Sequence, residues 1–452
     1  MLRINLNLFQ FMINLKEILK QYDLEHTGEI LSILEESEAC LRLPVKIITD
    51  VRQILIGVDL TLIHNDRDTA LELIYILLSN FTFVKVKQSY YNSNYTYNDY
   101  INLSSEILKS QIGTYKSRYK KILNLLIRYL IIEEGTGYKV GVKCNSYKIS
   151  NKYFTFKIKK YVLKTSYALK MHKQNRRKFN KKIFENVIAK SEILNNLYVK
   201  MPSKNEALQE LKKYSKKKWT NKKGKQLKIL GKKKREDKFV YVEDYLELYM
   251  LLQSHFKLPV ILGENAGYRV MTKFNTCPRI IRKLIKVNGK HLIGLDFSCF
   301  QPNLANRIYG EPLKDPLSHQ KAAQYLSKFD KYKDLSFEVL VGIAKKENLS
   351  LFNKKIRYMR YSSLFKFYEK NHPTLLHNII NDKELNGYKS VTKKMFKTEV
   401  MIMAEIVKRC MGRGIIAIYI YDEIMVEEDF VSDVKEIMEE VCKEQKLNVK
   451  IK

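Results

Sequence analysis

The chain has 452 residues, 45% of them hydrophobic and 29% charged, enough for two or three domains with sizeable cores, so it is expected to fold. Lys and Arg number 82 against 48 Asp and Glu, a net charge of +34 that predicts a polyanionic partner, nucleic acid before an anionic membrane surface. No stretch approaches the ~18 consecutive apolar residues that cross a bilayer, and Met1 to Asp23 has polar interruptions and no small-residue cleavage site, so a soluble, cytoplasmic protein is expected.

From Leu2 to about Lys109, apolar residues recur at helical spacing, as at Leu15, Ile18, Leu19 and Tyr22, and no motif attaches to chemistry. Residues 1–113 therefore read as a mostly helical N-terminal region. In residues 114–150, Lys116 to Arg128 forms a basic amphipathic pattern, followed by Tyr129-Leu-Ile-Ile132, a Gly135-Thr-Gly137 turn and the alternating Tyr138 to Lys143. Helix then hairpin predicts a winged-helix-like subdomain with the helix and Lys143 on a duplex; the alternative is a small α+β subdomain packed on its neighbours.

Residues 151–240 hold 29 Lys/Arg against 6 Asp/Glu. The blocks Arg176-Arg177-Lys178, Lys216-Lys217-Lys218-Trp219 and Lys232 to Arg235 alternate with apolar helical stretches such as Ile183 to Leu197. An isolated run of this density would repel itself into disorder. The interleaved apolar and aromatic residues predict instead an ordered surface that tracks phosphates without reading sequence, with Arg176, Arg177, Lys216, Lys217 and Lys218 among its contacts. After Asp244 the charge relaxes, and residues 241–452 carry the candidate chemistry. The six cysteines are scattered with no C-x-x-C pair and do not cluster with the eight histidines, so neither a zinc site nor a disulfide framework is expected.

His291 to Leu295 reads as an apolar strand delivering Asp296 at its end, followed by a helix with Pro302 in its first turn, where a missing N–H costs little. Gly414 to Glu428 reads as two apolar strands with Tyr421-Asp422-Glu423 at the join. If these strands lie side by side, Asp296 and Asp422 hold two Mg²⁺ ions about 4 Å apart, an arrangement that activates a 3′-hydroxyl and stabilises a departing pyrophosphate. Carboxylates suit Mg²⁺, a hard ion, and also Mn²⁺. Each Asp alone reads more readily as a helix cap or a turn residue. Together, in a chain of this charge, they predict metal-dependent phosphoryl transfer.

These residues carry a family resemblance. Leu295-Asp296-Phe-Ser-Cys-Phe-Gln301 with Leu304-Ala305 resembles motif A of the family A DNA polymerases, D-Y-S-x-x-E-x-R-x-x-A, and Ile420-Tyr421-Asp422-Glu423-Ile424 resembles their motif C, V-H-D-E. Gly267-Tyr-Arg269 through Asn275, Pro278 and Arg282 is similar to the family's segment leading into motif A, and Met403 to Met411 to the helix before motif C. The four occur in the family's order and span roughly residues 261–430. The resemblance implies an α+β right-hand fold: an antiparallel palm, helical fingers, and a thumb supplied by residues 151–240. It further implies DNA template, primer and nucleoside triphosphates as partners and two Mg²⁺ ions as cofactors. Asp296 and Asp422 would be the metal ligands, Glu423 would support them, and Arg269, Asn275 and Arg282 would be minor template or primer contacts. No carboxylate-rich exonuclease pattern precedes residue 260, so proofreading is not expected.

Three departures bear on function. Tyr421 stands for the family's His at the primer end, and a phenol retains a hydrogen-bond donor. Gln301 replaces the Glu that excludes a ribose 2′-hydroxyl in DNA-synthesising members, and the D-x-S-C start of motif A is also similar to single-subunit phage-type RNA polymerases. Motif B is the least clear. Asn353 to Tyr368 occupies its place, with Lys354 one turn before Arg357, and with Arg357, Tyr361 and Phe365 at i, i+4 and i+8 of an expected helix. The cations would neutralise a triphosphate and Tyr361 or Tyr368 would stack near the base; a basic surface helix is the alternative. The leading expectation is a compact DNA polymerase of a small replicon, phage or mobile element. An RNA polymerase or primase-like enzyme, and a catalytically inactive DNA-binding replication initiator, are the alternatives.

Overall fold

A computed structural model describes residues 40–91, 100–103, 105–113, 117–135, 145–150, 152–153, 158–172, 185–221, 224–231, 236, 238–255 and 259–452. The described chain is α+β, and its strands pair antiparallel except Gln226–Lys228 beside Phe239–Tyr241. Two compact units are drawn from it, one from Met1–Lys182, Met201–Leu258 and Cys277–Leu284, the other from Ile183–Lys200, Pro259–Thr276 and Ile285–Lys452. These units cut across the segments expected from the sequence: the Lys-rich stretch 151–240 is shared by both, and parts of 241–452 belong to the first. Among the described residues no helix is long and apolar enough to cross a membrane.

In the first unit, Cys40–Pro44 pairs with Ile158–Val162, and helix Arg67–Tyr91 packs on Cys40–Pro44. Glu72, buried on that helix, accepts hydrogen bonds from the Lys164 and Thr165 amides and the Tyr161 hydroxyl, so its burial is compensated. The helix expected at 116–128 is present as Arg118–Arg128, with Tyr119, Ile122, Leu123 and Leu126 inward. Ile132–Glu134 pairs with Ser146–Ile149, and Ile101–Asn102 adds a third strand from upstream. Residues 136–144, with Lys143, lie outside the described residues. A second cluster of this unit joins helix Lys204–Lys216, opened by a Ser203/Glu206 capping box, to Leu227, Tyr245, Tyr249, Ile280 and Ile281. Trp219 belongs to that packing, edge-on to Tyr214 and Tyr245, while Lys216, Lys217 and Lys218 beside it are exposed.

In the second unit the elements include α1 (Val187–Tyr198), β1 (Val199–Lys200), β2 (Val260–Ile261), β3 (Val270–Met271), β4 (Lys286–Val287), β5 (Lys290–Ser298), α2 (Phe300–Tyr309), α3 (His319–Leu326), α4 (Phe337–Asn353), α5 (Ile356–Met359), α6 (Phe365–Asn371), α7 (Pro373–Asn386), α8 (Ser390–Gly412), β6 (Ile418–Ile420), β7 (Glu423–Glu427), α9 (Val431–Glu444) and β8 (Lys450–Ile451). One antiparallel sheet runs β6-β7-β5-β4-β1, with β8 also on β5. The β1–β4 pairing, Lys200 opposite Lys286, and the packing of α1 on α8 hold this part of the Lys-rich stretch in the second unit. Along β5, Leu295 and Phe297 are buried, whereas Gly294, Asp296 and Ser298 take the opposite, more open face, as a two-residue period requires. Helices α1 and α9 pack on α8, and α9 also packs on β5 and β7.

Candidate active site

Asp296 lies two residues before the end of β5, opposite Glu423, the first residue of β7, and the Tyr421-Asp422 pair is the two-residue turn of the β6–β7 hairpin. Tyr421 has φ +60°, the left-handed conformation such tight hairpins need at a loop position. The expected pairing of an apolar strand with an acidic hairpin is therefore present, and Asp422 and Glu423 lie near enough for their charges to act on Asp296. The helix expected after the strand is α2, with Pro302 in its first turn. Gly294 makes room for one of the acids, since a Cβ there would run into Glu423 Oε1.

Burial raises the Asp296 carboxyl to about 6, and the charges of Asp422 and Glu423 push it the same way. Lys345 on α4 opposes them. Asp296 Oδ1 is buried with no hydrogen-bond partner. An orphaned carboxylate oxygen beside two further acids is a donor set for a hard divalent cation. Among the described residues no three His, Cys, Asp or Glu side chains are drawn into a ready-made metal cluster. Mg²⁺ does not need one, because it keeps several waters and takes one or two carboxylates together with substrate phosphates.

Behind these acids lies a buried polar network. Glu399 of α8, fully buried, accepts from Arg269 Nε at 2.7 Å and from Arg269 Nη2, and its Oε2 also accepts from Gln301 Nε2 at 2.8 Å. Burial pushes the Glu399 carboxyl up, and Arg269 counters it. The Arg269 guanidinium lies 3.6 Å from the centroid of Phe396 and 5.4 Å from that of Tyr421. Gly267, at φ +64°, lets this segment approach α8, where a Cβ would stand 2.6 Å from Lys397 N and closer still to Phe396 Cβ. Arg269, Gln301 and Tyr421 are thus brought together, with Gln301 turned to Glu399. Asn275 is occupied by its own turn, accepting from Thr272 N and donating to Val270 O. Arg282 belongs to the first unit.

The helix expected at 353–368 is not continuous. α4 ends at Asn353, and Lys354 and Lys355 are extended. α5 is a single turn, and residues 360–364 form turns before α6. Two side chains account for the break. Lys383, buried on α7, donates to the Phe352 and Lys354 carbonyls and so satisfies the end of α4. Ser362 Oγ donates to Glu347 and accepts from Leu364 N, the local bonding by which serine competes with a helix. Arg357, Tyr361 and Phe365 therefore do not share a helical face. Lys354 pairs with Glu347, Arg357 donates to the Tyr358 hydroxyl, Tyr361 is exposed, and Phe365 packs on the helical core. Tyr368 is buried and donates to Asn348 at 2.7 Å, so it is no stacking platform.

Sequence reasoning missed two residues. Lys345, exposed on α4, is the cation whose field reaches Asp296. Glu399 had a readable signal: it stands with Met395, Ile402 and Ile406 on the apolar stripe of α8, where a carboxylate demands a partner. The blocks at Arg176, Arg177 and 232–235 lie outside the described residues. The chain matches no protein-family model and no curated protein.

Proposed function

We propose that this chain is a template-directed nucleotidyltransferase, a DNA-directed DNA polymerase working with two Mg²⁺ ions and without a proofreading exonuclease. The observation that carries it is the grouping of Asp296 on β5, Glu423 opposite it on β7 and Asp422 in the turn just before β7, with the charges of the latter two acting on Asp296 and with Asp296 Oδ1 buried and unpartnered. Asp296 and Asp422 would hold the ions, and Glu423, lying over Gly294, would support them. When bound, the ions acidify a primer 3′-hydroxyl and offset the charge of the triphosphate. Lys345 approaches from α4 to attract the same phosphates. Gln301, held by Glu399, keeps its amide at the start of α2, directly after the strand that carries Asp296. The right-hand arrangement, with these strands as palm and α4 to α7 as fingers, belongs to this proposal, as do the DNA and nucleotide partners.

The test is extension of a labelled primer on a DNA template with Mg²⁺, comparing deoxy- and ribonucleotides, with and without primer. Deoxynucleotide extension lost in Asp296→Ala and Asp422→Ala, with duplex binding retained, is the expected result. Unaltered incorporation in both variants would remove the site assignment. Ribonucleotide or primer-free products would move the reading to an RNA polymerase or primase, and template binding without product in any lane to an initiator.

A further inference from the structure

Arg269 is committed within its own unit on three sides. Its fork makes a bidentate pair with Glu399, one guanidinium face lies against Phe396, and the Tyr421 ring lies within cation–π reach. Its side chain is only 19% exposed and its partner's is 0%. Together the contacts join three parts of the site. Glu399 and Phe396 are on α8, Tyr421 is in the β6–β7 turn, and Gln301, also on Glu399, opens α2. The turn needs support, because a non-glycine residue in the left-handed region costs about 1–2 kcal/mol. Asp422 is the next residue, so whatever fixes the Tyr421 ring also fixes the direction in which Asp422 leaves the turn.

We propose that Arg269 is a positioning residue, which braces the Tyr421 ring from α8 and so holds the Asp422 carboxylate in place for a divalent cation. This role rests on the reading of Asp422 as a metal ligand. It needs a planar guanidinium, since only that group offers a fork to Glu399 and flat faces to two rings; the ammonium of lysine keeps the charge and loses the rest. Tyr421 acts here through its ring, so its hydroxyl is dispensable for holding the metal.

The experiment is a Mn²⁺ titration of the full chain followed by the electron paramagnetic resonance of the free ion, below the melting temperature of every variant, beside steady-state incorporation. Wild type is expected to bind Mn²⁺ and Asp422→Ala to lose it. Arg269→Lys should weaken Mn²⁺ by about 10- to 100-fold, as loss of a group that orients a metal ligand does, and lower kcat with KM for primer–template unchanged. Tyr421→Phe should keep the wild-type Mn²⁺ affinity. The double variant Arg269→Gln with Glu399→Gln leaves no lone charge buried and should repeat the Arg269→Lys result. Wild-type Mn²⁺ affinity in Arg269→Lys, or in the folded double variant, would overturn the positioning role. So would a raised KM for primer–template at unchanged metal affinity, which would make Arg269 a nucleic-acid contact. Failure of wild type to bind Mn²⁺, or equal binding by Asp422→Ala, would overturn the metal-site reading itself, and the positioning role with it.

Discussion

Asp296 is the residue at which stability and the proposed activity conflict. Its folded-state value of about 6 lies above the ordinary 3.8, so between these the folded chain holds a proton that the unfolded chain has released. Stability therefore falls as pH rises through that window and stays lower above it. Asparagine cannot ionise. Metal-free Asp296→Asn should melt above wild type at pH 7.5, and the gain should shrink as pH falls toward 4, while incorporation is abolished; a gain independent of pH, read by thermal melting, would contradict the ionisation argument. Lys345 supplies the opposite sign. Because it lowers the Asp296 value, Lys345→Ala should move the acid limb of kcat/KM to higher pH. Removing a charge-assisted interaction of about 1.5–3 kcal/mol should also raise KM for the nucleotide about 10- to 100-fold. A pH–rate profile for each protein checks both effects.

At the scale of elements, the fold's demands fall on close approaches and breaks. Gly267 meets α8 with no room for a Cβ and at φ +64°, so Gly267→Ala should cost about 1–2 kcal/mol for the left-handed backbone and about 1–3 kcal/mol for overpacking. Urea unfolding measures the sum; a destabilisation of no more than about 1–2 kcal/mol would leave the backbone cost alone and mean that α8 yields freely. The same close approach shows what the sequence could carry. The strand to Asp296 and the hairpin around Asp422 were legible because a two-residue apolar period and a single acidic join are local signals. The break between α4 and α6 was not. Lys354 to Tyr368 has helical spacing throughout, and what ends α4 is Lys383, 29 residues beyond Lys354 in sequence. Lys345 was passed over for a related reason. Its own turn of α4 looks like any exposed basic helix, and only the folded arrangement points its charge at Asp296.

At the scale of the whole molecule, the excess of positive charge was plain from composition, but its division between units was not. The 151–240 stretch looked like one segment because its lysines are dense. Strand pairing and helix packing divide it nonetheless, taking 183–200 into one unit and 201–240 into the other. The aromatic residue within its best-described basic block, Trp219, is spent on packing, which leaves Lys216, Lys217 and Lys218 exposed at the end of a capped helix. If the chain binds nucleic acid as proposed, these three cations, one at the last helical position and two just past it, would track phosphates, and the signature would be counterion release. Replacing Lys216 and Lys217 by Gln and Lys218 by Asn, which tolerates the left-handed φ of +54° there, should lower the steepness of log K against log salt by about 0.9 for each phosphate that is no longer neutralised. The weakening should be equal for unrelated duplex sequences, because binding to the phosphate backbone carries no sequence information. An unchanged slope would make the three lysines a solvated face with no part in the proposed nucleic-acid binding of this +34 chain.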